Sequence, residues 1–535
     1  MSKTNQGLTR VALPFTIDET DFTLWLSSLP SDDEVKSCEQ ILQVLQTLNK
    51  THQSLASKTR LFFLNKLGNV LFELTNNLTS AAYSIEKTKA YLSIWSCSEL
   101  ANGYIILSEE KRFGTDYYTD TERAQIIQAG LQAMSKALLY TSQAYARPYL
   151  YFWAKCYQLY QKAAAVPSDI NTPGAHAIDD VFKHILVFSL SNTNQFSPQE
   201  MKVIFHFLSN FALYAKFLQQ VPEKKFTGIP YINYKNDLPP TLPSTLPAPE
   251  DEHTVYIATA AIAQKVLEHV NLQRQQLITN ERLLLMRLAK ILTLNRQRKH
   301  PRVINRGSYF GIIGFSNLIS FFRQHESEKN PILKIGELDL TRPGELRELN
   351  FEILPHEETL NPKLGESYGA KKIQQQLRSN PTEIWDYHKK IQFEANATQT
   401  DKSLSGYGLI WQDKNIEPRV GDVIGLQNQI PSIGFIRWIA QSPTSVLLFG
   451  VELLGFNAQA VTIFNTSISN STATGILIQN QPENTDRTES LIVDSCELVP
   501  SEFIHLQIKD DAHRYRVIKQ LHTTTLLNHI QITKA

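Results

Sequence analysis

The sequence is poor in the residues that carry most recognisable chemistry. Only four cysteines occur in 535 residues, Cys38, Cys97, Cys156 and Cys496. They form neither a CxxC pair nor a disulfide framework, and so read as reduced core residues of a cytoplasmic protein. There is no excess of either charge, with 53 Lys plus Arg against 52 Asp plus Glu. A chain without a global field cannot recruit nucleic acid or an anionic membrane at large, so any anion site has to be local. No run of eighteen apolar residues occurs, and MSKTNQGLTR lacks an apolar core, so neither a membrane span nor a secretory signal is expected. HExxH, GxxxxGK[ST] and a helix-opening GxGxxG are all missing, and the histidines are scattered; His356 and His388 have surface character. The expectation is a protein that is not an enzyme, with no catalytic residues, no cofactor and no metal.

What is present begins with helix. From about 30 to 225 apolar residues recur at helical spacing, as in Val35, Cys38, Ile41, Leu42, Leu45 and Leu48, with Ser31 or Asp32 placed to cap the first turn. Segments near 54–76, 82–107, 121–143, 147–164, 176–190 and 198–219 repeat the pattern, which predicts a helical bundle or solenoid over 1–237. Tyr151, Phe152, Trp153, Tyr157 and Tyr160 have the spacing of ordinary helical core. Residues 238–252 hold five prolines and no periodicity, the mark of a stiff linker or loop. Ala263, Val270, Leu277, Leu284 and Ile291 then repeat every seven residues, which predicts one long connecting helix over 253–295. Arg274 and Glu281 on its seam argue against a strict coiled coil.

After 303 the pattern turns to β. Short runs such as SGYGLIW, DVIGLQN, IGFIRWIA and VLLFGVELLG alternate with Gly, Pro and Asn, like the strands of a small antiparallel barrel. Helix signals at SNLISFFRQH and AKKIQQQLR fall within a segment of about 314–388 that reads as an insertion. The fold class is α+β and multidomain: an all-α region, then a β-barrel domain over 296–470, then a β-rich extension or degenerate second barrel over 471–535.

Two short motifs carry the chemistry. RQRKHPR at 296–302 holds Arg298 and Arg302 at RxxxR spacing, and DKSLSGYGL at 401–409 holds Asp401, Ser403 and Gly406 at DxSxxG spacing. In this order, followed by barrel strands, the two motifs resemble the PilZ domain. That resemblance implies a cyclic di-GMP receptor with a six-residue-scale signature on a β-barrel, and it covers about 296–456. The ligand offers two phosphodiesters and two guanines. Arginine forks suit phosphate or the O6/N7 edge of guanine. The Asp401 carboxylate suits the N1–H and N2–H donors of guanine, the Ser403 hydroxyl suits base or phosphate, and Gly406 leaves room for base or backbone. Arg296, Lys299, Arg306, Gly408 and Trp438 are further candidates. The motifs stand almost a hundred residues apart, farther than the family's usual spacing, which is why the insertion is inferred. The leading reading is a cytoplasmic, non-enzymatic receptor with a protein partner on the helical region and no nucleic-acid partner. Two alternatives remain at this stage: a helical scaffold whose barrel has lost the ligand, and a nucleic-acid binder using RQRKHPR.

Overall fold

A computed structural model of the chain describes residues 13–52, 55–79, 87–115, 117–166, 175–219, 229–243, 246–273, 277, 279–293, 303–304, 308–325, 395–403, 406–411, 418–427, 432–442, 446–456, 458–465, 472–479, 489–494, 498, 500–508, 511–523 and 527–535. Residues 303–304, 308–310 and 395–403 are described by backbone alone. Two compact units part at Arg296–Gln297.

The first unit is mostly helical: α1 (Glu19–Ser27), α2 (Glu34–Lys50), α3 (Ser57–Leu78), α4 (Lys87–Glu109), α5 (Asp120–Gln143), α6 (Phe152–Gln161), α7 (Ala175–Leu190) and α8 (Pro198–Phe211). Local chemistry sets several starts. The carboxylates of Asp18 and Asp33 accept from backbone N–H groups in the first turns of α1 and α2, and Thr119 with Glu122 forms a reciprocal capping box on α5. Cys38, Cys97 and Cys156 are buried free thiols, and burial pushes Cys38 up to about 11. Phe152, Trp153 and Tyr157 are core, and Tyr160 stacks on Phe182 with ring centroids 3.7 Å apart, whereas Tyr151 is exposed. His184 bonds to the Phe205 carbonyl through Nε2 at 2.9 Å and lies 3.5 Å from Ser135 Oγ through Nδ1; burial drives its pKa down to about 4.

Of the two readings of the proline-rich stretch, linker or loop, the loop is the one that fits. It lies in the first unit, flanked by the strands of a small sheet, β1 (Lys216–Leu218), β2 (Tyr231–Asn233) and β3 (Thr254–Ala258), in order β1-β3-β2. Just before it, the Asp237 carboxylate accepts from the N–H of Tyr151 and of Ala154 at 2.8 and 3.0 Å. These bonds cap α6, whose N-cap residue Tyr151 supplies no side-chain bond of its own. Tyr157 Oη donates to the Leu238 carbonyl at 2.7 Å. The expected single helix over 253–295 is also different. Its first residues are the strand β3, and the rest forms two helices, α9 (Ala260–Leu272) and α10 (Thr279–Leu292). Thr259 Oγ1 donates to the Leu292 carbonyl at 2.8 Å, so the start of α9 meets the end of α10 in an antiparallel hairpin. Ala263, Val270 and Leu284 of the seven-residue stripe are buried and Leu277 and Ile291 half-buried; Glu281 lies in the first turn of α10, and Arg274 lies outside the described residues.

The second unit holds two barrels. Strands β4 (Val303–Ile304) and β5 (Ser308–Ile313) are followed by α11 (Phe315–His325), then β6 (Ala395–Ser403), β7 (Gly406–Trp411), β8 (Val423–Gln427), β9 (Ser432–Gln441) and β10 (Leu447–Phe456). Antiparallel pairings β5–β6, β6–β7, β7–β10, β10–β9, β9–β8 and β8–β5 return to their start and close a ring, with β4 added alongside the end of β6. Strands β11 (Ala458–Asn465), β12 (Thr472–Ile478), β13 (Glu489–Asp494), β14 (Phe503–Ile508), β15 (Asp511–Thr523) and β16 (Leu527–Lys534) form a second closed barrel, in order β11-β12-β13-β16-β15-β14. The boundary between the barrels falls at 457, not at 470, because AQAVTIFN is the first strand of the second barrel. The second barrel has its own core, including Val461, Leu477, Leu491, Ile504, Leu506 and Ile530. A separate apolar cluster joins Ile312, Leu318, Val423 and Phe435 of the first barrel and α11 to Ala460, Ile476, Ile492 and Leu527 of the second. The helix signal at AKKIQQQLR lies outside the described residues.

Candidate functional site

The DxSxxG signature sits on the hairpin between β6 and β7. Ser403 pairs with Gly406, and Asp401 pairs with Gly408 after a bulge at Gln399/Asp401. On the other edge of β6, Val303 pairs with Lys402 and Ile304 with Asp401. Val303 is the residue that follows Arg302, so strand β4 leads directly from the arginine stretch to the signature. The register continues across the sheet, because Gly408 pairs with Gly450 and Gly450 with Trp438. A single cross-strand row therefore reads Ile304, Asp401, Gly408, Gly450, Trp438. Side chains in such a row share one face, and two adjacent glycines leave its middle without relief.

The glycines are demanded by their neighbours. A Cβ on Gly406 would collide with the Val451 carbonyl oxygen, and one on Gly450 would collide with the indole of Trp438. Gly406 thus admits the neighbouring backbone, one of the two roles its residue type allows, and Trp438 is half-buried because it lies across Gly450. Gly408, between Asp401 and Gly450 in this row, is buried.

Glu452 stands beside Gly406 in register and is ion-paired to Arg437. The Arg437 guanidinium also donates to His522 Nε2 of the second barrel and lies 5.4 Å from the Phe435 ring centroid. His522 is cross-strand to His529, which is buried. Burial, with Arg437 nearby, pushes His529 down to about 4, and its Nε2 has no hydrogen-bond partner among the described residues. At the entry to β8, burial pushes Asp422 up to about 6, opposed by Arg419, whose N–H donates to Asp422 Oδ2 at 3.0 Å.

Of the expected site residues, Gly406, Gly408 and Trp438 are brought together by one sheet, and the backbone of Asp401 and Ser403 lies on the adjoining strand. Arg296, Arg298, Lys299, Arg302 and Arg306 lie outside the described residues. Gly450, Glu452 and Arg437 were missed by sequence reasoning. Their signal is the FGVELLG run, whose glycine is placed opposite Gly408 only by the strand register. Among the described residues no three His, Cys, Asp or Glu side chains group as a metal site, and no helix is long and apolar enough to cross a membrane.

A closed antiparallel barrel of six strands, with the DxSxxG signature on its second hairpin and β4 feeding in from an RxxxR stretch, defines a PilZ domain. Two family profiles then cover most of the chain. Residues 20–223 match the N-terminal domain of the cyclic-di-GMP receptor FimW, and residues 230–460 match the middle PilZ domain of the same receptor. The chain belongs to this family of cyclic-di-GMP receptors, in which a helical N-terminal domain precedes the PilZ domain. No curated protein and no solved structure matches it.

Proposed function

We propose that this chain is a cytoplasmic, non-enzymatic receptor that binds cyclic di-GMP through Arg298, Arg302, Asp401, Ser403 and Gly406, with Gly408 and Trp438 completing the platform. The observation that supports it most is the register of β4, which sets Val303, the residue after Arg302, against Lys402 and Ile304 against Asp401 and the glycine row. A guanine bound beside this hairpin would offer its N1–H and N2–H edge to the Asp401 carboxylate, while the forks of Arg298 and Arg302 would take phosphate. Arg296, Lys299 and Arg306 add cationic potential to the same approach.

The output is a change in domain arrangement, with the helical region, residues 1 to about 237, meeting a protein partner. Helix α10 ends at Leu292 and β4 starts at Val303, so the cationic stretch is the connection between the two units. Neutralising its charge with two phosphates would tie it to the signature hairpin and favour one arrangement. A preference of about 2–3 kcal/mol changes a population ratio roughly thirty- to hundredfold.

Calorimetric titration with cyclic di-GMP, with GTP and cyclic di-AMP as controls, tests the reading. Arg302→Ala should weaken binding about tenfold or more, through the loss of charge-assisted bonds worth roughly 1.5–3 kcal/mol. Arg302→Lys should also bind poorly, because an ammonium lacks the fork. A folded Arg302→Ala protein with unchanged affinity would sink the site. Affinity that falls steeply with salt would instead indicate a polyanion.

A further inference from the structure

The second barrel has one side covered and one side open. On the covered side, the outward residues Ala460, Ile476, Ile492 and Leu527 join the apolar cluster shared with the first barrel. The open side is formed by β14, β15 and the far end of β11. Ile504, Leu506, Tyr515, Val517, Val461 and Ile463 point into the barrel core. Strand alternation therefore turns Phe503, His505, Arg514, Arg516 and Phe464 outward.

The register packs these five together. Phe464 pairs with His505, His505 pairs with Arg514, and Phe503 pairs with Arg516. Both phenylalanines are more than a third exposed, at 38% and 37%. The Arg514 guanidinium carbon lies 4.1 Å from the Phe503 ring centroid. A guanidinium held flat on a ring still offers its in-plane N–H fork to a ligand. Among the described residues neither Arg514 nor Arg516 has a carboxylate at ion-pair distance.

We propose that this face of the C-terminal barrel docks an acidic protein segment in which carboxylates alternate with apolar side chains. The carboxylates would take the two guanidinium forks, and the apolar side chains would lie on Phe464 and Phe503. Because the barrel is closed, the strands here have no free edge, so the partner cannot add a strand and is held by side chains. Two arginines and a histidine are too short a basic track for a nucleic-acid strand, which gains affinity from many phosphates, and the chain's net charge of +1 adds no wider field. The covered side is spent on the first barrel, which leaves this side for a partner. The inference stands whether or not the first barrel takes cyclic di-GMP.

The test uses the full chain and a fluorescein-labelled peptide of alternating Glu and Trp. The peptide should bind, and the same peptide with Gln for Glu should bind about tenfold more weakly or worse, the weight of one charge-assisted pair. Arg514→Glu with Arg516→Glu should abolish binding, and Phe503→Ala should weaken it several-fold, all with unchanged melting. Arg514→Gln with Arg516→Gln, which keeps size without charge, should also lose binding, and it serves if the Glu variants fold poorly. Cyclic di-GMP titration should be the same in every variant, which separates this face from the first barrel's site. Equal peptide binding by wild type and variants, or tighter binding of an oligothymidylate than of the peptide, would overturn the proposal.

Discussion

The two barrels of the second unit are the same by topology and different by chemistry. Numbering each barrel's six ring strands in chain order, both run first, second, third, sixth, fifth, fourth. In the first barrel, Ser403 and Gly406 pair across a hairpin only two residues long, and a stretch with four cationic side chains precedes it at 296–302. In the second, the matching strands end at Ile478 and resume at Glu489, and no Lys or Arg occurs over 446–458 before its first strand. The ring order thus supplies a platform without specifying what lands on it. Specificity lies in the hairpin, the approach strand and the residues that face outward.

Substitutions can break or sharpen this comparison. The largest effect is expected at the junction. Phe435 is fully buried in the cluster that both barrels share, and Phe435→Ala should cost about 3–5 kcal/mol. Urea unfolding should then show both barrels lost together; a second barrel that melts separately at its original midpoint would show that the two cores are independent.

Next comes acid. His529 faces Arg437, His522 and the Phe435 ring, and its folded pKa of about 4 lies below the ordinary 6.5. The unfolded state therefore takes up a proton first, so stability falls as pH drops from about 6.5 toward 4, by up to roughly 3 kcal/mol. His184 adds a slope of the same sign in the helical unit. His529→Leu should flatten the acid dependence of hydrogen exchange in the barrels and leave that of α7 in place. An unchanged barrel profile would exclude His529 as its source.

One glycine from each barrel gives a smaller contrast. Gly406→Ala drives a Cβ into the Val451 carbonyl and should destabilise by about 1–3 kcal/mol without any ligand. Gly475, on β12 of the second barrel, meets mainly the methyl ends of Ile463 and Leu491 at 2.9 Å, which can shift, so Gly475→Ala should cost less. Equal melting points would remove the special role given to the Gly406 position. Smallest of all, Glu452→Gln breaks a partly exposed ion pair and should change stability by less than about 1 kcal/mol, with the difference fading in high salt.

Much of this was legible in the sequence because local periodicity was its cause. The helices from α2 to α8 follow from apolar stripes, and DxSxxG marks the hairpin. What escaped depended on partners distant in sequence. A seven-residue stripe from Ala263 to Ile291 is satisfied equally by one helix or by two that fold together, and the break between α9 and α10, with the Thr259–Leu292 bond, distinguishes them. Closure of the second barrel rests on β11 pairing with β14, some forty residues later, which no local pattern announces. Gly450, Glu452 and Arg437 joined the candidate site through register, which a bulge at Gly450/Val451 offsets by one position.

The apolar cluster beneath α11 also imposes an order on how the chain is made. Ile312 and Leu318 leave the ribosome about 200 residues before Leu527, the last buried member of the cluster that covers them. At typical synthesis rates that interval is roughly 10–40 s, during which α11 and the outer face of β8 and β9 stay uncovered. Such distant contacts also slow the search for the native pairing. A nascent chain paused within the second barrel therefore presents a sticky, half-built surface, and this protein should depend on chaperones most while its last seventy residues are still being added.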